Sequence, residues 1–476
     1  MDFIGRDKEL KQLGDLFVLQ GLKIVCVNGT KGIGKTRLLQ EFCRTHEAFY
    51  YAVRSGDMTL NERLFASEMG VESGKYRNMY TQDCNKETPD WRTELKWIVE
   101  RSLQEEIALV FDNADWLMKT FSNLWQELEM LLNQHYKALN LLLIFACRDG
   151  KLLTRTVEKA FGRQSVTCMT LEPLRYMEML PWFGASFSQT ERVLLYGVSG
   201  GRPARLNLFD GGVRGDEEIM KACFSAEMCN DWGIQALEGA DLRIPHMYNR
   251  ILELVANGLR RPKDIAENME WESNKLAKYL RVLTETGLLQ RVVAAEEKHI
   301  KKQHKKTFYT IHDTGLLFWY RFVFPWISLI STGKGKCVWD HVNEEIYSSY
   351  CEEVFRRICL QHVAILQDRK DLPLTKIDAV GFSWEEVQKD EVGKHDYILI
   401  KGREECCIGL IFWQSTALSA EEFLDAATDI FDIGEMQCGK KGQPGIIFVS
   451  AGLSEGALRI ASQYPSIRCI SLQYMK

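Results

Sequence analysis

Residues 22–42, LKIVCVNGTKGIGKTRLLQEF, decide the fold of the N-terminal third of the chain. The apolar run Leu22 to Asn28 is typical of a buried strand, and RLLQEF has the apolar spacing of an amphipathic helix. Between them, Gly29 to Thr36 (GTKGIGKT) fits the G-x-x-x-x-G-K-[ST] pattern of a phosphate-binding loop. The strand, loop, helix order is the one that such a loop requires. The stretch therefore predicts a P-loop NTPase core built on a parallel sheet.

The residue types of this loop indicate its ligand. Its glycines let backbone N–H groups turn toward phosphates, and the N-terminus of the following helix favours the same negative charge. Lys35 is expected to reach the β and γ phosphates, and Thr36 to hold Mg²⁺. The alternative is a glycine-rich turn that matches by chance, which its placement between strand and helix disfavours. The predicted cofactor-binding residues of this stretch are Gly29, Thr30, Lys31, Gly32, Ile33, Gly34, Lys35, Thr36 and Arg37.

A second apolar run, Ile107 to Phe111, leads into a carboxylate. Asp112 stands where a P-loop ATPase holds Mg²⁺ through its water shell, so we predict a metal-binding and catalytic residue. Many such ATPases next have a glutamate that polarises the attacking water, whereas this chain has Asn113, which orients water but takes no proton. Asp115 is either a substitute base or a helix-capping residue. With Asn113 in the catalytic set, we predict slow hydrolysis and retained nucleotide binding.

A third apolar run, Leu139 to Cys147, ends at Arg148. In a parallel sheet the carboxyl ends of the strands converge on the ligand, so an arginine there is placed to sense the γ-phosphate. The alternative is a surface arginine paired with Asp149, a kind of ion pair that contributes little to stability. Arg148 therefore joins the predicted catalytic residues.

Length and composition limit the class of protein to which the chain can belong. At 476 residues the chain is too long for one core, and its 46% apolar and 26% charged residues are ordinary for a globular protein. Its 14 cysteines include no C-x-x-C pair, which favours reduced thiols in a cytoplasm over disulfides. The most apolar stretch elsewhere, Gly315 to Ile330, contains Arg321 and Pro325 and is expected in the core, so we predict no membrane association.

Residues 246–310 carry a net charge of +5 on a chain whose net charge is −5. Helices are predicted at Tyr248 to Gly258, Pro262 to Met269 and Ser273 to Thr286, and strands at Leu288 to Val293 and Thr307 to Ile311. This order predicts a winged helix-turn-helix. The predicted nucleic-acid contacts are Ser273, Asn274, Lys275 and Lys278 in the recognition helix and Lys301, Lys302, Lys305 and Lys306 in the wing.

Other interpretations of this basic segment stay open. A charged hairpin tip is often only a solvated loop, so the lysines alone do not decide between DNA contact and solvent exposure. His299 and His304 lie in the same loop, but nothing nearby supplies the carboxylate or cysteine partners of a metal site. The sequence therefore leaves three alternatives for the partner of this protein: DNA, another protein or a second copy of the chain.

The chain resembles the STAND branch of AAA-related P-loop ATPases, and within it the archaeal-type ATPase family with a DUF234 C-terminal region. Besides the phosphate loop, the resemblance is carried by Phe3 to Leu10 (FIGRDKEL), Gly200 to Pro203 (GGRP) and Phe308 to Pro325. It implies that Arg6 lies near the nucleotide and that Pro203, in a helical lid, contacts adenine. It also implies ATP as the nucleotide, because the loop itself reads phosphates and not the base. In STAND proteins winged helices also serve as plain packing modules.

From about residue 340 onward the chain alternates helix and strand. Helices are predicted around Glu344 to Leu360 and from Ala420. Strands are predicted at His395 to Ile400, Cys406 to Phe412 and Gly445 to Ser450.

In the resembled family this region looks like a restriction-endonuclease-type domain. Its active form holds metal with an aspartate, then a glutamate and a lysine on the following strand. Asp396 matches the aspartate, or is a plain strand-end carboxylate, and Glu353 is a candidate supporting acid. The glutamate and lysine positions hold Leu410 and Phe412, which can neither ligate a divalent ion nor activate water. We predict a degenerate, non-cleaving domain that binds a partner or DNA.

Together these patterns predict a multidomain α/β protein. Its parts are a P-loop ATPase core at residues 1–172, a helical lid at 173–240, a winged helix-turn-helix with linker at 241–335, and a PD-(D/E)XK nuclease-like domain at 336–476. The predicted function is a slow, nucleotide-controlled regulatory or signalling switch that binds ATP or ADP with Mg²⁺. The alternatives are a DNA-binding regulator with a structural, non-hydrolysed nucleotide and, least favoured, an ATP-regulated nuclease.

Overall fold

The computed structural model describes residues 3–55, 57–72, 90–117, 122–135, 138–148, 150–161, 166–183, 187–206, 216–225, 245–295, 307–374, 376–383 and 397–475. The chain divides into two compact units. The first comprises Met1–Leu174 and Arg202–Ala204, and the second comprises Arg175–Gly201 and Arg205–Lys476.

The first unit is built on a sheet of parallel strands. The strands are β1 (Lys23–Asn28), β2 (Ala48–Ala52), β3 (Ile107–Asp112), β4 (Leu141–Cys147) and β5 (Val166–Thr170). They pair in the order β2-β3-β4-β1-β5. The residues of β3 and β4 are buried along their whole length, as expected of parallel strands covered on both faces. Strands β1, β4 and β3 are parallel neighbours, so the residues that follow them lie at the same edge of the sheet.

Helices cover both faces of this sheet. They are α1 (Asp7–Phe17), α2 (Lys35–Thr45), α3 (Met58–Glu72), α4 (Trp91–Arg101), α5 (Ser122–His135) and α6 (Gly150–Phe161). Alternate side chains of a strand enter opposite layers. Val25 and Val27 pack in the core that includes α1 and α2, whereas Ile24 and Cys26 pack in the core that includes α3 to α6. The phosphate loop thus connects the middle of the sheet to a helix of one layer.

The second unit begins with short helices. They are α7 (Tyr176–Met179), α8 (Gln189–Ser199), α9 (Pro203–Leu206), whose first two residues group with the first unit, and α10 (Asp216–Cys223). A capping box starts α8, in which Ser188 and Glu191 exchange hydrogen bonds with each other's backbone. The helix ends at Gly200, whose φ of 61° is the left-handed conformation that terminates helices.

Three helices and a hairpin follow in the second unit. They are α11 (Pro245–Ala256), α12 (Pro262–Asn268), α13 (Ser273–Glu285), β6 (Leu289–Val293) and β7 (Thr307–Ile311). Leu276, Leu280 and Leu283 are buried at helical spacing along α13. The strands pair antiparallel, with Leu289 opposite Ile311. The hairpin tip, residues 296–306, carries Lys301, Lys302, Lys305 and Lys306 and lies outside the described residues.

A long helical stretch precedes the last sheet. Its helices are α14 (Thr314–Phe318), α15 (Ile327–Ser331), α16 (Gly335–Glu345) and α17 (Cys351–Asp368), with π-helical turns at Trp319–Val323 and Ile346–Tyr350. Helical structure therefore starts earlier and ends later than the predicted Glu344 to Leu360. In the part of the chain that is described, no helix has the length and apolarity needed to cross a bilayer.

The C-terminal sheet mixes parallel and antiparallel strands. Its elements are β8 (Ala379–Ser383), β9 (Tyr397–Lys401), β10 (Cys406–Phe412), α18 (Ala420–Cys438), β11 (Gly445–Val449), α19 (Glu455–Ala461) and β12 (Ile467–Ser471). The strand order is β12-β11-β10-β9-β8. Strands β10 to β12 are parallel, and β8 to β10 are antiparallel. Asp396 precedes β9 and lies outside the described residues.

Candidate functional site

The phosphate loop joins β1 to α2 and needs its glycines for backbone reasons. Gly32 and Gly34 have φ values of 79° and 99°, which side chains rarely tolerate. A Cβ at Gly29 would lie 2.9 Å from Cγ2 of Ile33, which is itself buried. The loop is therefore a tight turn over an apolar anchor. Because α2 begins directly at Lys35, its free N–H groups face the mouth of the loop and favour an anion.

The side chain of Lys35 folds back onto this loop. Its ammonium group donates to the carbonyl oxygen of Gly29 and, at 3.2 Å, to that of Thr30. Burial lowers the pKa of Lys35, an effect that the carboxylates of Asp112 and Asp115 oppose. The loop thus holds a partly desolvated cation on neutral carbonyls, and phosphate oxygens would be stronger acceptors for it.

The carboxylate of Asp112 gathers donors from other parts of the first unit. It accepts hydrogen bonds from the hydroxyl of Thr36 at 2.6 Å, the hydroxyl of Tyr50 at 2.8 Å and the backbone N–H of Asn113 at 2.8 Å. Burial and the neighbouring carboxylate raise the pKa of Tyr50, so its hydroxyl stays protonated and donates. Tyr50 reaches this position because β2 pairs with β3, with Ala52 opposite Asp112.

These groups fit a magnesium ion that is bound together with phosphates. Mg²⁺ takes oxygen ligands, keeps several waters and needs only one or two protein ligands besides the phosphates. Thr36 and Asp112 place a hydroxyl and a carboxylate oxygen 2.6 Å apart, and are the residues that would hold it. When bound, the ion would neutralise charge on the β and γ phosphates. A cluster of three or more His, Cys, Asp or Glu side chains suited to a metal does not occur among the described residues.

The backbone conformation at the position after Asp112 favours asparagine. Asn113 has a φ of 57°, in the left-handed region that asparagine tolerates better than glutamate does. Nearby, the carboxylate of Asp115 accepts the backbone N–H of Arg148 at 2.8 Å, which ties the end of β4 to the segment after β3. The charge of Arg148 contributes to the lowered pKa of Lys35, so the two cations lie in one electrostatic neighbourhood. Asp149, the alternative partner of Arg148, lies outside the described residues.

Arg6 is buried against the phosphate loop. Its guanidinium donates to the carbonyl oxygens of Ile33 at 3.1 Å and Glu172 at 2.6 Å, and it pairs with Glu9 at 2.9 Å. It therefore joins the loop to the chain segment that follows β5. Because these N–H groups donate to protein carbonyl oxygens, Arg6 stabilises the conformation of the loop.

Arg202 also contacts the phosphate loop. Its Nη1 donates to the hydroxyl of Thr30 at 2.6 Å and to the carbonyl oxygen of Lys31 at 3.0 Å. The sequence analysis recognised the motif GGRP but assigned a role only to its proline and none to Arg202. Tyr50 was missed for a different reason, since no motif marks it and only the pairing of β2 with β3 brings it to Asp112.

The two residues after Arg202 continue along the same loop. The N–H of Ala204 donates to the carbonyl oxygen of Gly32 at 3.3 Å. Pro203, the predicted adenine contact, has its Cγ 3.6 Å from the place that a Cβ of Gly34 would occupy. The structure therefore brings Pro203 to the loop. Lys31 and Arg37, the remaining charged residues of the predicted set, are exposed there.

The described part of the predicted nucleic-acid surface lies on α13, in the second unit. Ser273, Asn274, Lys275 and Lys278 are all exposed. The ammonium of Lys275 lies 3.9 Å from the ring centre of Trp271, so a cation–π contact engages part of its charge. A groove of about 420 Å³ runs beside this helix, and basic or aromatic side chains in its lining include Lys263, Arg281, Arg291 and Tyr309.

In the C-terminal region, the proposed supporting acid has another task. Glu353 pairs with Arg260 at 2.8 Å and with Arg357 at 3.0 Å. Burial alone would raise the pKa of Glu353, but the arginines outweigh it and lower the pKa to about 2. Glu353 is therefore the centre of an ion-pair network, and its expected role as a metal-supporting acid stays a prediction. Leu410 is buried in β10 and Phe412 is half-buried at its end.

The strand order, the loop after β1 and the carboxylate at the end of β3 define a P-loop NTPase fold in the first unit. Residues 319–421 match the family model DUF234, described as "Archaea bacterial proteins of unknown function". The prediction of a P-loop fold together with a DUF234 region is thereby confirmed.

Several known proteins are similar to this chain. An uncharacterized protein of Methanocaldococcus jannaschii is 24% identical over 394 residues, which are 80% of this chain and 82% of that protein. A Walker-type ATPase of Pyrococcus abyssi is 18% identical at a TM-score of 0.46, over 67% of this chain and 96% of that one. The Orc1 protein of Aeropyrum pernix, solved in complex with DNA, is 12% identical at a TM-score of 0.34, over 67% and 91%.

Proposed function

We propose that the first unit binds ATP with Mg²⁺ and hydrolyses it slowly. The observation that carries this proposal is the 2.6 Å hydrogen bond between Thr36 and Asp112, beside the half-buried ammonium of Lys35. A hydroxyl, a carboxylate and a cation at the mouth of a glycine turn are the groups that bind a magnesium triphosphate. The choice of adenine rests on the resemblance, in which Pro203 contacts the base.

The slow rate follows from the residues near the expected γ-phosphate. Asn113 can orient a water molecule but cannot take its proton. Asp115 is a poor substitute base, because its carboxylate already accepts the backbone N–H of Arg148. We assign to Arg148 the stabilisation of charge that develops on the transferred phosphoryl group. Binding without fast turnover suits a switch better than a motor.

Calorimetry with ATP, ADP and GTP, with phosphate release measured in the same buffer, tests this proposal. The parent protein is expected to prefer ATP and to release phosphate slowly. Lys35→Ala is expected to weaken ATP binding by at least about tenfold, because a hydrogen-bonded charge is lost. Lys96→Ala, on an α4 lysine whose side chain is 64% exposed, is the matched control. Equal ATP affinity of Lys35→Ala and parent would remove the basis of the proposal.

We further propose that nucleotide state controls effector regions in the rest of the chain. The proposed parts are the core at 1–172, a helical lid at 173–240, a winged helix-turn-helix with linker at 241–335 and a degenerate nuclease-like domain at 336–476. The order α11, α12, α13, β6, β7 supports the winged helix, because it is three helices followed by an antiparallel hairpin. Apolar Leu410 and Phe412 support a C-terminal domain that does not cleave DNA.

A DNA-binding regulator that holds nucleotide without turning it over is the second candidate. Asn113 and the exposed basic residues beside α13 favour it. Steady phosphate release above that of Lys35→Ala would contradict it, and retained DNA affinity without release would support it. A nuclease is the least favoured candidate, and Mg²⁺-dependent DNA cutting that Asp396→Ala abolishes would overturn the non-cleaving assignment.

A further inference from the structure

Residues 202–204 are set apart from the chain on either side of them. They group with the first unit, whereas Arg175–Gly201 and Arg205–Lys476 group with the second. Their contacts explain why, since the side chain of Arg202 and the backbone of Ala204 both hydrogen-bond to the phosphate loop. A tripeptide from a distant part of the sequence is therefore fastened to the loop that we propose binds ATP.

Arg202 and Lys35 bring two cations to the same short stretch of loop. The ammonium of Lys35 contacts the carbonyl oxygen of Thr30, and the guanidinium of Arg202 contacts the hydroxyl of Thr30 and the next carbonyl. All of these acceptors are neutral. Phosphate oxygens are charged, and hydrogen bonds between charged partners are about twice as strong as neutral ones. A phosphate that entered beside Lys35 would compete with the present acceptors for both cations.

We propose that Arg202 is a further nucleotide-binding residue, which binds the terminal phosphate of a nucleoside triphosphate in exchange for its contacts with Thr30 and Lys31. The backbone amides of the loop cradle the α and β phosphates. The terminal phosphate is then the one left for cations from other segments. This inference rests on the proposed ATP binding and adds a means of distinguishing ATP from ADP.

The residues that follow Arg202 in the chain are held by an ion pair and a helix cap. Arg205, on the short helix α9 that begins directly after Arg202, pairs with Asp313 at 2.8 Å, and both side chains are largely buried. Asp313 in turn caps α14 through the N–H groups of Gly315 and Leu316. Arg202 thus lies three residues before the arginine of this ion pair in the sequence.

The experiment compares affinities for ADP and for a nonhydrolysable ATP analogue, both with Mg²⁺, by calorimetry on the full chain. Arg202→Ala is expected to lower affinity for the ATP analogue by about ten- to hundredfold, the effect of one hydrogen bond between charged groups. Its affinity for ADP is expected to change by less than about threefold. The matched control is Arg44→Ala, an arginine of α2 whose side chain is 75% exposed. It should change neither affinity.

A second variant separates phosphate binding from a purely structural contact. Thr30→Val removes the hydroxyl acceptor of Arg202 but keeps the loop amides. If Arg202 binds the terminal phosphate, any loss of affinity in Thr30→Val affects the ATP analogue and ADP by the same factor, so the ratio of the two affinities stays that of the parent. If Arg202 only fastens the segment to Thr30, Thr30→Val reproduces the Arg202→Ala result, which would overturn the inference. Equal losses of ATP analogue and ADP in Arg202→Ala would also overturn it, whereas a parent protein that binds neither nucleotide would instead refute the proposed function.

Discussion

At the scale of single residues, Asp112 shows how the site is arranged before a ligand binds. Its carboxylate is buried, and it accepts hydrogen bonds from Thr36, Tyr50 and the backbone of Asn113. These donors come from α2, from β2 and from the turn that follows β3. A metal-binding carboxylate held in this way needs little rearrangement when a magnesium triphosphate enters. The role of each donor can be tested separately.

Tyr50→Phe removes one of these donors and keeps the ring. Because a neutral hydrogen bond contributes about 0.5–1.5 kcal/mol, we expect Mg²⁺-dependent ATP affinity to fall by about three- to tenfold. Affinity measured with chelator instead of Mg²⁺ should not change, since Asp112 acts through the ion. Tyr51→Phe is the matched control, because the hydroxyl of Tyr51 bonds Asn61 and not Asp112. Equal effects of the two variants on the Mg²⁺ dependence would contradict a role for Tyr50 in positioning Asp112.

The left-handed backbone of Asn113 leads to a stability prediction. A side chain with a Cβ and no local hydrogen bonding costs roughly 1–2 kcal/mol in that conformation. Asn113→Ala should therefore destabilise the protein by about 1 kcal/mol, and Asn113→Gly should not. The free energy of unfolding of each variant, from urea denaturation, provides the measurement. An alanine variant as stable as the parent would show that the backbone does not select asparagine here.

At the scale of elements, the sequence predicted the interior strands of the two five-stranded sheets and missed their edge strands. The runs that became β1, β3 and β4 are apolar except at their ends, because parallel strands in the middle of a sheet are covered on both faces. The strands β2, β5, β8 and β12 were not predicted, and all four lie at the edges of their sheets. Residues of β2 and β8 alternate between buried and partly exposed, those of β5 are mostly exposed or partly exposed, and β12 has two residues that are not buried among its five. Short strands with such patterns do not stand out from loops.

The same difference explains which site residues were predictable. Residues of the phosphate loop, Asp112 and Arg148 follow interior strands, so continuous apolar runs point to them. Tyr50 lies on an edge strand, and its contact depends on which strand pairs with β3. Arg202 reaches the loop across a long stretch of sequence, which spacing alone does not reveal. Motifs marked the residues that are local to one strand and loop, and only tertiary structure identified the others.

The ion-pair network around Glu353 gives a prediction about pH. Its folded pKa is lowered from 4.5 to about 2, so its stabilising effect is complete above pH 4.5 and is lost as the pH falls toward 2. Glu353→Gln should be less stable than the parent by about 3 kcal/mol at pH 7, and this gap should shrink below pH 4.5. Unfolding free energies from urea titrations at several pH values test this. Glu352→Gln, at the exposed neighbouring position, is the control.

At the scale of the whole molecule, charge is distributed unevenly between regions. The segment 246–310 has a net charge of +5, although the chain as a whole is acidic. Exposed lysines of α13 and the lysines of the hairpin tip supply much of this charge. If this segment binds DNA, its affinity must depend on salt, because each neutralised phosphate releases counterions. A solvated hairpin or a packing module would show no such dependence.

Binding of a double-stranded oligonucleotide at several salt concentrations tests this difference. Alanine at Lys301, Lys302, Lys305 and Lys306 should reduce the slope of log affinity against log salt by up to about 3.6, or about 0.9 for each lost phosphate contact. Alanine at the exposed lysines Lys11, Lys96, Lys440 and Lys441 is the matched control and should leave the slope unchanged.

The lysines of α13 have different neighbours, so the same salt titration can compare them. Lys275 stacks on Trp271, whereas Lys278 lies three residues further along the exposed side of the helix. The cation–π contact competes with phosphate for Lys275, so Lys278→Ala should lower the salt slope by about 0.9 and Lys275→Ala by less. If neither variant nor the wing variant changes the slope, the basic segment does not bind DNA and serves as a packing or protein-binding module.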